Sequence, residues 1–181
     1  MEIKFREDGV VQLRDIKNYE MTPRRIGNDG QEMLFRNFSG TAGKMNNAGN
    51  RNFTLDLPED VANALIEAGF NVRIRVVDPV SNNADGPITH YNLKVNVRYY
   101  GAWYDPKAYL LKDDGSYVML DENTIGTLDK MVIERADIDI YPKKYINRAT
   151  GKEGISAKLN NIRIIPRVES DFLDEFDIHT N

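Results

Sequence analysis

Residues 91–97 read Tyr-Asn-Leu-Lys-Val-Asn-Val, so Tyr91, Leu93, Val95 and Val97 alternate with Asn92, Lys94 and Asn96. A period of two sends the apolar side chains to one face of an extended strand and the polar ones to the other. Such a strand belongs in a sheet with one face on a core and the other in water. Val72, Ile74 and Val76 alternate in the same way with Arg73 and Arg75 and are expected to point inward. Arg98 prolongs the polar set, so the outward faces of both strands are basic or amide. The connection, Asp78 to His90, is rich in Pro, Gly and Asn and reads as a long exposed hairpin loop.

Further strand-like runs lie at Leu34–Phe38 and Arg51–Leu57, around a Gly- and Asn-rich loop, and at Lys107–Leu111 and Tyr117–Leu120, around the turn Asp113-Asp114-Gly115. Ala136–Tyr141 and Ile155–Ile165 follow. In the last run the inward set shifts from Ile155, Ala157 and Leu159 to Ile162 and Ile164, which predicts a β-bulge at Asn160-Asn161 that bends the strand as barrel closure requires. Pro58, Glu59 and Asp60 open a short helix with Val61, Leu65 and Ala68 on one face and Gly69 at its stop; Asp121 caps another that carries Ile125 and Leu128 inward. Residues 1 to about 33 predict an early strand or helix and then a loop. About six to eight short strands with one or two brief helices suit a mainly β chain, an OB-fold-like small barrel with extended loops, better than a doubly wound sheet that needs a helix between most strands. A sandwich is the second choice.

Charge is unevenly placed. The segment Glu169–Asn181 holds five carboxylates and no Lys or Arg, so the whole-chain balance of 24 basic against 28 acidic residues becomes 24 against 23 in the rest, close to +1. Residues 1–168 are therefore expected to form one OB-like domain and 169–181 an acidic flexible tail. Tyr141–Val168 carries Lys143, Lys144, Arg148, Lys152, Lys158, Arg163 and Arg167 against Glu153 alone, a surface suited to a polyanion.

Other chemistry is poorly supported. There are no cysteines, which excludes disulfides, zinc ribbons and thiol nucleophiles and fits a reducing, cytoplasmic setting. The N-terminus is not that of a signal peptide, and no apolar run is long enough to span a membrane. His90, in the hairpin loop, and His179 are expected to be solvated, and neither has a ligand-spaced partner. Asp137 and Asp139 share a strand face as an exposed pair. Gly40-Thr41-Ala42-Gly43-Lys44 lacks phosphate-loop spacing. No catalytic residue, cofactor or metal is indicated, and the chain is not expected to be an enzyme.

Unpaired polynucleotide needs cations for phosphates and flat side chains for bases. Tyr99, Tyr100, Trp103 and Tyr104 lie directly after Lys94 and Arg98, and Tyr141 and Tyr145 bracket Lys143 and Lys144. Any one ring could fill the core; four within six positions are not all expected to. Arg73, Arg75, Lys94, Arg98, Lys143, Lys144, Lys152 and Lys158 are the phosphate candidates. Tyr99, Tyr100, Trp103, Tyr104 and Tyr145 are the stacking candidates, and the loop from Lys44 to Arg51 could wrap a backbone.

Phe35-Arg36-Asn37-Phe38-Ser39-Gly40, Asn46–Asn50 with Arg51-Asn52-Phe53, Ala68-Gly69-Phe70-Asn71-Val72 and Leu120-Asp121-Glu122 before Leu128-Asp129 together resemble the phage single-stranded DNA-binding proteins of OB-fold type. Ala136-Asp137-Ile138-Asp139-Ile140-Tyr141-Pro142, Tyr145 and Gly151–Leu159 extend the resemblance, which covers about residues 34 to 168 with an acidic tail in the expected place. The resemblance implies a protein that coats single-stranded DNA, without sequence preference, during phage replication and recombination in the infected host. The tail, through Phe172 and Phe176, is expected to compete for the groove or to dock phage replication proteins. It ends Ile178-His179-Thr180-Asn181, not in the Pro-Phe of bacterial relatives. The rivals are a virion or assembly β module that binds other proteins, and a nuclease with Asp137 and Asp139 as its metal site.

Overall fold

A computed structural model describes residues 1–26, 32–43, 46–77 and 86–167. The elements run β1 (Glu2–Phe5), β2 (Val11–Ile16), α1 (Asn18–Met21), β3 (Arg24–Ile26), β4 (Glu32–Leu34), β5 (Arg36–Asn37) and β6 (Arg51–Leu57). Then come α2 (Glu59–Glu67), β7 (Arg73–Val77), β8 (Ile88–Val97), β9 (Lys107–Leu111), β10 (Tyr117–Leu120), a 3₁₀ turn (Ile125–Asp129), β11 (Ile133–Ile146) and β12 (Glu153–Pro166). The chain is mainly β, with more strands than the sequence suggested because residues 1–33 contribute four of them.

The main sheet has the order β1-β2-β11-β12-β8-β6-β5, with β7 added to β8 and the β9–β10 hairpin joined to β12. β12 is antiparallel to β11 but parallel to both β8 and β9. Among the described residues the sheet does not close into a barrel: β1 and β5 stay at opposite ends of its hydrogen-bonded path. The expected bulge is present, since Asp139 pairs with Asn161 and Ile140 with Leu159, which leaves Asn160 without a partner. It lets Ala157, Leu159, Ile162 and Ile164 all reach the core despite their uneven spacing.

The inward faces of β6, β8, β11 and β12 supply that core, with Phe38 and Phe53 stacked at 4.7 Å. Helix α2 begins after Pro58, carries Glu59 and Asp60 in its first turn and buries Val61, Ala62 and Leu65. Ala68, expected on that face, is exposed at the C-cap, and Gly69 turns the chain out with φ +92°. The turn after Asp121 is 3₁₀ and not α, although Ile125 and Leu128 are buried as expected.

Three expectations about side chains are overturned. Ile74 and Val76 are 57% and 60% exposed, because the β7–β8 ribbon extends past the core. His90 lies on β8 with Nδ1 3.1 Å from Asp56 Oδ2. Asp137 and Asp139 are half-buried and engaged by the N-terminal hairpin: Asp15 N donates to Asp137 at 3.0 Å and Arg14 pairs with Asp139 at 2.7 Å.

Arg36 ties the sheet to the loops below it. Its side chain, 6% exposed, donates to the carbonyls of Met21, Leu128 and Met131 and to the side chains of Asn18 and Thr22. Burial lowers its pKa to about 10, against the raising influence of Asp129.

Candidate nucleic-acid interface

The wet face of the central strands is built by register. Thr54 opposes Lys94 and Asn52 opposes Asn96, while Lys158 stands beside Asn96 on one side and Tyr141 on the other. Partners in register share a face, so Lys94, Asn96 and Lys158 form one polar strip across β8 and β12. At its upper end a cleft of 230 Å³ is lined by Asn50, Arg51, Asn52, Lys94, Arg98 and Tyr100, among others, with Glu122 the one carboxylate.

The loop after β8 presents the rings. Asp105 holds it: its carboxylate accepts N–H bonds from Tyr100 at 2.7 Å, Gly101 at 2.9 Å and Ala102 at 3.2 Å. Charge-assisted bonds of this kind are stronger than neutral ones, and Gly101, at φ +72°, takes the turn without a Cβ penalty. Fixed in this way, Tyr104 packs 5.8 Å from Tyr100 and edge-on to Trp103 at 5.6 Å. Lys158 Nζ lies 4.8 Å from the Tyr100 centroid and 5.1 Å from that of Tyr104. Tyr100 is 53%, Tyr104 42% and Trp103 86% exposed. An ammonium thus sits against two accessible rings, with a third, Trp103, packed on one of them.

The structure brings Lys94, Arg98, Tyr100, Trp103, Tyr104 and Lys158 together at this place. Lys143 opposes Ser156 and Tyr145 opposes Gly154, which places both on the Lys158 face of the β11–β12 ribbon. Tyr145 lies across Gly154 so closely that an added Cβ there would fall 2.5 Å from its hydroxyl. Lys144 opposes Ile155 and points to the other face, since neighbours along a strand alternate; Lys152 is in the ribbon's exposed tip.

Two candidates have structural engagements. Arg51 donates to Phe38 O at 2.7 Å and covers the Tyr99 ring at 5.5 Å. Tyr99 is half-buried against the core, and burial pushes its pKa up to about 12 despite the lowering influence of Arg51. Arg73 and Arg75 oppose Asn92 and His90, farther down the same wet face. Lys44, Phe172 and Phe176 lie outside the described residues. Asn50, from the loop expected to wrap a backbone, lines the cleft, and so does Asn52, which the sequence reading missed although the strand alternation that exposes Thr54 also exposes it. Among the described residues no group of acidic and histidine side chains is arranged to hold a metal ion, and no helix is long and apolar enough to cross a membrane.

Residues 18–176 match the model of the phage ssDNA-binding domain family. The chain belongs to that family. The match begins sixteen residues before the stretch that carried the sequence resemblance, and so takes in α1. Its family role is to bind single-stranded DNA, a non-enzymatic one.

Three solved structures are similar at low identity. The single-stranded DNA-binding protein from bacteriophage Enc34 in complex with ssDNA is 11% identical, covering 90% of this chain and 89% of that chain at a TM-score of 0.46. Another structure of the single-stranded DNA-binding protein from bacteriophage Enc34 is 13% identical, covering 98% of this chain and 100% of that chain at 0.44. The single-stranded DNA-binding protein gp2.5 of bacteriophage T7 is 13% identical, covering 96% and 95% at 0.33. No curated protein matches the chain.

Proposed function

We propose that this protein coats single-stranded DNA without sequence preference during phage DNA replication and recombination in the host cytoplasm, and that it does so without catalysis. One observation carries the reading: Lys158, from β12, stands within 5.1 Å of two exposed tyrosines from a loop more than fifty residues earlier, with Trp103 beside them. An unpaired strand offers phosphates to the cation and bases to the rings, and each stacked base is worth about 1–3 kcal/mol whatever its identity. Lys94, Arg98, Lys143 and Lys158 serve the phosphates; Tyr100, Trp103, Tyr104 and Tyr145 serve the bases. Arg51 and Tyr99 shape the cleft wall, and Arg73 and Arg75 meet the strand lower on the face. Lys144 and Lys152 act through their field.

Residues 1–168 constitute the binding domain and 169–181 an acidic tail that competes for the groove or docks replication proteins. Fluorescence polarisation with a labelled dT oligomer beside the matching duplex tests the reading: preference for the single strand, quenching of Trp103 and an uncut oligomer after incubation with Mg²⁺ are expected. Equal binding to duplex, or cleavage, overturns it. Truncation after Val168 is expected to raise affinity at low salt; unchanged affinity removes the competition.

A further inference from the structure

Below the Lys94 strip the same wet face enters a second cleft, of 430 Å³, between α1 and the β7–β8 ribbon. Tyr19 and Pro23 wall it on one side; Asp56, Arg75 and His90 wall it on the other. Register places it on the path of the first cleft. Arg75 opposes His90, Arg73 and Asp56 oppose Asn92, and Thr54 opposes Lys94, so both clefts open along one row of β8 side chains, His90, Asn92, Lys94 and Asn96. The separation from Asn96, beside Lys158, to His90 is six residues, about 20 Å at about 3.3 Å per residue. A strand rising about 3.4 Å per nucleotide would cover it with about six nucleotides.

Two features of this cleft are not explained by folding. The Tyr19 ring is 71% exposed although it sits on a four-residue helix whose other side buries Met21. Arg75 Nε is buried with no acceptor among the described residues, so turning the guanidinium toward an anion forfeits no hydrogen bond at that atom. We propose that this cleft is a second nucleotide subsite, in which Tyr19 stacks a base and Arg75 meets the adjoining phosphate. Asp56, across His90 from Arg75 on the same wall, keeps phosphate off that end and leaves it to the base edge. The subsite rests on the single-stranded DNA reading above and extends it: the strand crosses the sheet from the Trp103 cluster to α1.

The test is affinity against oligomer length, dT3 to dT12, for the wild type, Tyr19→Ala, Tyr19→Phe and Trp103→Ala, with melting temperatures to confirm folding. Wild-type affinity is expected to step up once the oligomer spans both clefts. Tyr19→Ala should erase that step, weakening dT12 roughly 5- to 150-fold while leaving dT3 unchanged. Tyr19→Phe, which keeps the ring, should restore it. If Tyr19→Ala holds dT12 as tightly as the wild type while Trp103→Ala does not, the strand stops short of α1 and the subsite is wrong. A wild type with no affinity for any oligomer defeats the underlying reading itself, and the subsite with it.

Discussion

Replacing Asp105 with Ala separates electrostatics from preorganisation, because the two predict opposite signs. Removing a carboxylate near bound phosphate should help DNA binding slightly, by about 0.5 kcal/mol for charges about 8 Å apart in water. Yet Asp105 accepts three backbone N–H bonds that fix Tyr100, Gly101 and Ala102, and through them the positions of Trp103 and Tyr104. Without it the three rings must be ordered when DNA binds, at about 0.5–1.5 kcal/mol for each immobilised side chain. At about 0.8 kcal/mol for each of the three rings, less the electrostatic gain, the net loss is about 2 kcal/mol, roughly a 30-fold weaker Kd. The assay is polarisation with a dT oligomer at fixed salt, alongside thermal melting. The loop lies at the surface, so the melting temperature should change little. An Asp105→Ala variant that binds more tightly than the wild type would refute the argument that the rings are preset by this carboxylate.

Trp103→Ala should cost about 1–3 kcal/mol in single-strand affinity with folding stability unaltered, since the indole is 86% exposed; equal titration curves would remove it from the site. Lys158→Met should lower the slope of log K against log salt by about 0.7, one phosphate's worth, and an unchanged slope would count against a phosphate contact. Arg36→Met strands the carbonyls of Met21, Leu128 and Met131 and should cost about 3–5 kcal/mol in urea unfolding, with DNA affinity intact below the transition; a loss under about 1 kcal/mol would show that those carbonyls find other donors. Gly154→Val should displace the Tyr145 ring and weaken binding without abolishing the β11–β12 pairing, as read by backbone NMR shifts.

Period-two alternation made the strands legible wherever one face met the core. It even exposed the Asn160 bulge, because a break in the apolar register has no other economical cause in a strand that stays buried on both sides of it. The same rule failed for Ile74 and Val76: apolar alternation records which face a side chain takes but not whether any core lies opposite. It failed for residues 1–33 because short strands with evenly mixed charges have no strong period. At the site, cations and rings could be enumerated from composition, but not their engagements. Arg51 and Lys158 look alike as charges, and only three-dimensional packing puts one on a buried carbonyl and the other over accessible rings. Tyr19 carried no local signal, since its cleft exists only where α1 meets a ribbon more than fifty residues later.

Among the described residues the last strand in chain order, β12, occupies the middle of the sheet's seven-strand path. A polypeptide emerging from the ribosome therefore has β8 and β9 ready, yet nothing to zip them together until residues 153–166 arrive. Prematurely terminated products would lack Lys158 and leave the edges of β11, β8 and β9 open, the condition that favours aggregation over function. The cluster of Lys158 with Tyr100 and Tyr104 is thus assembled late, only once β12 has docked between β11 and the β8 and β9 strands.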